Sequence, residues 1–387
     1  MIRLQGVGKT YGDGTVAVQE LDLDVPRGSF VTLVGPSGCG KSTTLKMVNR
    51  LIEPTSGTIT LDGEDVTRTD AVALRRRMGY VIQQIGLFPH QTVRTNVATV
   101  ASLLGWDRKR TNERVDELLS LVGLEPKQYA DRFPSQLSGG QRQRVGVARA
   151  LVADPPVMLM DEPFGAVDPV VRVRLQDEFV ALQERIGTTV LFVTHDIEEA
   201  VRLGHKVAVF EPGGRLAQYD TPARVLGAPA DDYVADFVGS DRGLRRLAVT
   251  GIDGSDLEHP PVVRDDDSLA DARTVLARED ARWAVVTTPS GDLRGWLAVD
   301  EADGSGTVTE RGHRMAAWLP RDASLKDALA RMLQHDAGWV AVLDGDKFCG
   351  VLTPATLHGA LRRSVEADDR GVEHASVELE AAGPVHA

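Results

Sequence analysis

The sequence predicts an α/β protein with parallel strands, followed by a smaller α+β unit built as a tandem repeat. Three observations predict it. Short β-rich runs alternate with longer helical stretches from Ile2 to about Gly239. A Gly-x-x-x-x-Gly-Lys-Ser loop sits between one such run and a helix. Residues 261–363 match themselves when the chain is shifted by 56 positions, 268 against 324.

Taken in order, the runs Phe30 to Val34, Val157 to Met160 and Thr189 to Val193 are short and β-rich, and with the helical stretches between them they suggest a core containing parallel strands. They place the first domain at 1–239. Residues 240–260 are polar and contain Gly and Asp, and although Leu247 to Val249 could form a short strand, the segment reads as a linker. In the repeat, Ser268, Leu269, Asp271, Ala272, Asp280, Ala281, Trp283 and Val286 recur as Ser324, Leu325, Asp327, Ala328, Asp336, Ala337, Trp339 and Val342. Each copy, 261–303 and 315–363, reads as helix, strand, turn, strand, and Gly295-Trp296-Leu297 corresponds to Gly350-Val351-Leu352 one gap later. Residues 364–387 hold six acids against the base Arg370, a net charge of −5, and are expected to be a mobile tail.

Composition narrows the function. With 44 basic and 56 acidic residues among 387, the net charge of −12 argues against a nucleic-acid binder with a broad basic surface. The longest apolar stretches, such as Val157 to Met160 and Val207 to Phe210, are far shorter than the roughly 20 residues a spanning helix needs. Met1 leads straight into an alternating segment with no apolar signal region, so the protein is expected to stay where it is made. Cys39 and Cys349 form no metal-ligand spacing and read as unpaired thiols of a reducing compartment.

The chemistry begins at Gly35-Pro36-Ser37-Gly38-Cys39-Gly40-Lys41-Ser42, with Thr43 next in the helix that follows. The glycines let successive N–H groups face a phosphate, and the helix N-terminus adds partial positive charge. Lys41 is expected to reach the β- and γ-phosphates of ATP, and Ser42 to place its hydroxyl on Mg²⁺. A second element is the strand Val157 to Met160 running into Asp161-Glu162, which sets two carboxylates at a strand's C-terminal end. Asp161 is expected to hold Mg²⁺ and Glu162 to polarise the attacking water.

The third element is Leu137-Ser138-Gly139-Gly140-Gln141, followed by a helix rich in Arg and Ala from Arg142 to Leu151. Here the sequence resembles the ATPase domain of ABC transporters, which implies a P-loop fold with a helical subdomain. The resemblance assigns Tyr11 to stacking on adenine, and Gln83 to the Q-loop, contacting Mg²⁺ and the water and relaying to the membrane partner. It assigns Asp168 to the D-loop touching the opposite subunit, and His195 to the γ-phosphate switch. It thus implies Glu162, His195 and Gln83 as the catalytic set, Ser42, Gln83 and Asp161 as Mg²⁺ ligands, and Ser138, Gly139, Gly140 and Gln141 as donors to ATP held by a second subunit. Two ATP molecules then hold a head-to-tail homodimer, and hydrolysis releases it.

The lack of any spanning run favours an importer-type subunit on the cytoplasmic face of the membrane, working with a separate permease and, indirectly, an extracytoplasmic binding protein. The stretch Met78-Gly79-Tyr80-Val81-Ile82-Gln83-Gln84-Ile85-Gly86-Leu87-Phe88-Pro89-His90 resembles the ATPases of osmoprotectant importers, as do Met47-Val48-Asn49-Arg50-Leu51 and Gln218-Tyr219-Asp220-Thr221-Pro222. That family carries glycine betaine, choline, carnitine or proline; another betaine would leave the same sequence. A soluble ABC ATPase acting on DNA or ribosomes is disfavoured, because only 97 residues separate Lys41 from Ser138 and there is one phosphate loop and one signature. The family's ATPases often end in a pair of CBS modules, which the repeat resembles. Where many CBS modules carry Gly-x-x-Thr/Ser-x-x-Asp, the first copy has Ala298 and Glu301 and the second Thr353 and Thr356. Neither keeps the full pair, so a regulatory, dimer-forming or ion-responsive role stands beside nucleotide sensing. The acidic tail would attract a cationic surface less strongly at high salt.

Overall fold

A computed structural model describes residues 1–82, 86–165 and 167–363. The chain divides into two compact units, Met1–Val225 with Pro229–Ser240, and Leu226–Ala228 with Asp241 onward.

The first unit opens with β1 (Ile2–Thr10) and β2 (Val16–Val25), then β3 (Phe30–Val34) leading to α1 (Lys41–Val48). Next come β4 (Ser56–Leu61), β5 (Glu64–Asp65), α2 (Ala71–Arg76) and β6 (Met78–Val81). Four helices then run consecutively: α3 (Val93–Leu103), α4 (Arg108–Leu121), α5 (Pro126–Tyr129) and α6 (Gly139–Leu151), the helical subdomain. The core resumes with β7 (Val157–Asp161), α7 (Pro169–Ile186), β8 (Thr189–Thr194), α8 (Ile197–Leu203), β9 (Lys206–Glu211) and β10 (Arg215–Asp220), followed by α9 (Pro222–Gly227) and α10 (Asp232–Val238).

The central sheet has the order β10-β9-β3-β8-β7-β6, parallel except for β10. Every residue of β3 and β8 is buried, because helices cover one face and α1 with a second sheet covers the other. This order makes β3, β8 and β7 parallel neighbours, so the loops after them open together at the C-terminal ends of the strands. A second, antiparallel sheet, β2-β1-β4-β5, packs its apolar face, including Ile2, Leu4 and Ile59, in one cluster with Val31 and Leu33. On the other face Phe30, Phe164, Phe179 and Phe192 form an aromatic group with centroids 5.6–6.4 Å apart, tying the strands to α7.

The second unit corrects the expected linker. Residues 242–249 form α11 (Arg242–Val249), not a strand or an open connection. Leu247 and Ile252 are buried with Leu325, Ala328, Val340 and Leu352 in the core of the second repeat copy, so this polar stretch is held by two well-placed apolar side chains. The first copy contains β11 (Val262–Arg264), α12 (Leu269–Arg278), β12 (Trp283–Thr287), β13 (Leu293–Ala298), α13 (Val308–Arg311) and β14 (His313–Arg314). The second contains β15 (Trp318–Pro320), α14 (Leu325–Gln334), β16 (Val340–Asp344) and β17 (Lys347–Leu352), and residues 354–363 are helical. In both, the leading strand lies parallel to the next and a hairpin follows. The equivalent Ser268 and Ser324 cap α12 and α14, accepting from Asp271 N at 3.1 Å and Asp327 N at 3.2 Å. The expected tail, 364–387, lies outside the described residues.

Candidate functional site

The phosphate loop follows β3 and wraps to the N-terminus of α1. Gly35 has φ 153° and Gly40 φ 93°, and a Cβ on either would meet a backbone oxygen, Phe210 O at 2.3 Å or Ala17 O at 2.2 Å. Both places therefore demand glycine. Ser37 and Gly38 are exposed at the loop's crest, whereas Cys39 and Lys41 are buried. Lys41 Nζ donates to Gly35 O and Pro36 O, each at 2.7 Å, and lies 3.4 Å from Cys39 Sγ. The ammonium is thereby held inside the curl of the loop, and Thr43 is half-buried two residues on.

Two strands away, Asp161 ends β7. Its Oδ1 accepts from Ser42 Oγ at 2.7 Å, joining residues 119 positions apart. Burial holds this carboxyl above the usual carboxylate range, partly offset by the Ser42 hydroxyl and Lys46. A hydroxyl and a carboxylate in contact form the hard oxygen set that Mg²⁺ takes, so these residues fit the ion. Neighbouring Tyr80, half-buried on β6, has its phenol pushed up to about 12 by burial and by Asp161.

Glu162 occupies the left-handed region, φ 41°, rare for a side chain with a Cβ and costly by roughly 1–3 kcal/mol. The turn is fixed by Glu162 N donating to Val193 O at 3.0 Å and Gly165 N donating to Glu162 O at 3.2 Å. It turns the carboxylate toward His195, whose Nδ1 lies 3.2 Å from Glu162 Oε1. His195 follows β8 directly, so the β7–β8 pairing places acid and imidazole side by side.

Glu199 was not anticipated from the sequence. It is largely buried on α8, where its carboxylate accepts from Thr194 Oγ1 and, at 2.8 Å, from Gln176 Nε2. Burial raises its pKa, against those two hydrogen bonds. Thr194 Oγ1 in turn accepts from Asp196 N at 3.0 Å, so Glu199 clamps the residues on both sides of His195. A Glu four positions after a His hints at a helical neighbour, but nothing local indicates its burial.

The signature residues lie apart from this cluster. Ser138 caps α6, its Oγ accepting from Gln141 N at 3.2 Å while Gln141 Oε1 accepts from Ser138 N at 2.9 Å. Gln141 Nε2 donates to Tyr129 Oη at 3.2 Å, and after the exposed Ser138 the half-buried Gly139 and Gly140 complete the helix start. None of these hydrogen bonds reaches the phosphate loop. Asp168 caps α7, accepting from Val170 N at 3.0 Å and Val171 N at 3.4 Å. Tyr11 is exposed, with Lys9 Nζ 5.4 Å from its ring centre. Gln83 lies outside the described residues. Among the described residues no helix is long and apolar enough to cross a membrane.

In the second repeat copy, Thr353 Oγ1 donates to Glu258 Oε1 at 2.8 Å, and Thr353 N donates to Thr356 Oγ1 at 2.9 Å. In the first, Glu301 Oε1 lies 2.7 Å from His313 Nε2, whose ring stacks on Trp296.

Known proteins match the chain in both units. The ABC transporter family profile covers residues 18–165 and the CBS domain profile residues 314–363. The chain is 42% identical over 352 residues to the osmoprotectant import ATP-binding protein OsmV of Salmonella typhimurium, spanning 89% of this chain and 92% of that protein. It is 40% identical over 375 residues to the glycine betaine/carnitine/choline transport ATP-binding protein OpuCA of Bacillus subtilis, spanning 95% and 98%. Among solved structures, the dimeric bacterial ABC transporter cassette MJ0796 superimposes with a TM-score of 0.52 at 35% identity, over 57% of this chain and 99% of the cassette. The same cassette is known as a post-hydrolysis dimer bound to ADP and Pi, with a TM-score of 0.52 at 34% identity over the same shares.

Proposed function

We propose, for a chain that belongs to the ATP-binding subunits of ABC importers for osmoprotectants, that ATP hydrolysis at its phosphate loop drives uptake of a quaternary amine: glycine betaine, choline, carnitine or a chemical relative. The observation that carries the reading is the convergence of Ser42, Asp161, Glu162 and His195 at adjacent strand ends, with Ser42 2.7 Å from Asp161 and His195 3.2 Å from Glu162.

In this reading Tyr11 offers its exposed ring to adenine, and Gly35 to Thr43 surround the phosphates with backbone N–H groups. Lys41 exchanges its carbonyl partners for phosphate oxygens, keeping the ammonium in place at little reorganisation cost. Ser42 and Asp161, with Gln83, hold Mg²⁺, which supplies neutralisation of the charge on the β- and γ-phosphates. Glu162 accepts the proton of the attacking water, and His195, braced by Glu199 through Thr194, donates toward the γ-phosphate. Ser138 to Gln141 of a second copy present the start of α6 to the same nucleotide, with Asp168 nearby, which makes the working unit a homodimer. The subunit sits peripherally on the membrane's cytoplasmic face, driving a separate permease that an extracytoplasmic binding protein supplies, and the paired CBS copies act as its regulatory or dimerising module.

The test is uptake of radiolabelled glycine betaine, choline and carnitine by cells carrying the wild-type chain or Glu162→Gln, across a range of external salt. Uptake of at least one solute that depends on Glu162 is expected. Uptake of all three that is indifferent to Glu162 would discard the substrate class.

A further inference from the structure

A cavity of about 440 Å³ opens between the C-terminal end of α4, the middle of α6 and the outer face of α7, a size within the range of small-molecule sites. Its floor is apolar, formed by Val147, Phe164, Phe179 and Leu182, all buried. Its rim is cationic. Arg144 and Arg174 share the one carboxylate there, Glu178, at 2.7 and 3.1 Å. Arg185 also lines the cavity, and among the described residues it has no ion pair or side-chain hydrogen bond. Three guanidiniums against one carboxylate leave two positive charges above an apolar floor, which is the complement of a molecule with an anionic head and a hydrocarbon body. Deep in the same cavity wall, Gln143 is 2% exposed and donates through Nε2 to Pro163 O, while its Oε1 has no hydrogen-bond partner.

We propose that this cavity is an allosteric site for apolar carboxylates of medium acyl length, separate from the nucleotide site. The position gives the occupant leverage. Helix α6 begins at the Ser138 cap and α7 at the Asp168 cap, and Phe164 lies two residues beyond Glu162. A body wedged between the two helices fixes their spacing and so the placement of both caps. Its carboxylate bonds to Arg185 and draws Arg174 from Glu178, while its chain lies against Leu121 and Ala181, the apolar lining residues that still expose surface.

Calorimetric titration of the full chain with sodium decanoate, without nucleotide, tests this independently of any ATPase reading. Decyltrimethylammonium and decanol serve as controls for charge. Saturable decanoate binding is expected, with both controls weaker by roughly tenfold or more and Arg185→Glu weakening decanoate about tenfold. Ala181→Trp, an exposed position on the cavity wall, fills the space without disturbing the core. It is expected to abolish binding and to make the ATPase rate, which decanoate changes in the wild type, insensitive to decanoate. Three results would overturn the proposal: no saturable binding, equal binding of the cationic control, or a wild-type ATPase rate that saturating decanoate leaves unchanged.

Discussion

Trp283 and Trp339 stack face to face, their ring centroids 4.2 Å apart and their planes 8° from parallel. They are the same position of the two repeat copies, 56 residues apart in the chain, so the stack marks the pseudo-symmetry between them. At the far end of the same strands the hairpin turns meet, with Lys347 Nζ 2.9 Å from Asp292 Oδ1 and Phe348 N donating to Gly291 O at 3.1 Å. The copies are thus joined at both ends of β12 and β16, by an aromatic contact and by a charged one. A double-mutant cycle on Trp283→Leu and Trp339→Leu, read by urea unfolding of the second unit, is expected to give a coupling energy of about 1 kcal/mol. Strictly additive losses would mean that the two rings do not stack in solution.

Glu162→Gln keeps the side-chain volume but removes the proton acceptor. The turnover number is expected to fall at least ~100-fold, with nucleotide affinity, measured by fluorescence titration, little changed. A turnover within a few-fold of wild type would remove Glu162 from the chemistry.

The pKa of Glu199 is raised in the fold, chiefly by burial, with Asp196 also raising it and Arg172 lowering it. Above its ordinary value of 4.5 the unfolded chain has released a proton that the folded chain still holds. Stability therefore falls as pH rises from there through the folded pKa. Glu199→Gln removes this contribution. Thermal unfolding between pH 4 and 8 is expected to show the wild type losing more stability than the variant as pH rises; parallel curves would sink the idea. The variant is also expected to lower turnover, because the carboxyl group that accepts from Thr194 Oγ1, beside His195, is replaced.

Leu247 lies in the segment that reads as a linker yet is 5% exposed. Leu247→Ala is expected to destabilise the second unit by roughly 2–3 kcal/mol, measured by urea unfolding, while ATP hydrolysis by the first unit is retained. A linker residue would give a change near zero.

Much of the site was legible because its parts are local. The phosphate loop, the Ser138 cap with Gln141 three residues on, and the Asp161-Glu162 strand end each owe their geometry to neighbours in the chain, and backbone preferences act over a few residues. The repeat was legible for a related reason: Ser268 and Ser324 cap equivalent helices, so equal local patterns produced equal elements.

What only the tertiary structure decided is which distant groups meet. Ser42 and Asp161, and Glu162 and His195, become partners because β3, β8 and β7 are adjacent in the sheet. Burial of Glu199 against Thr194 and Gln176 depends on α8 docking beside α7, and nothing in the eight residues around it carries that information. The segment at 240–260 looks open because most of its residues are polar, yet Leu247 and Ile252 in a hydrophobic core, and backbone pairing of Gly251 with Ser324 and Glu258 with Val351, hold it folded. Sequence by itself determined the chemistry available to this protein; packing decided which groups stand close enough to perform it, since hydrogen bonds and ion pairs act over a few ångströms of space whatever their separation along the chain.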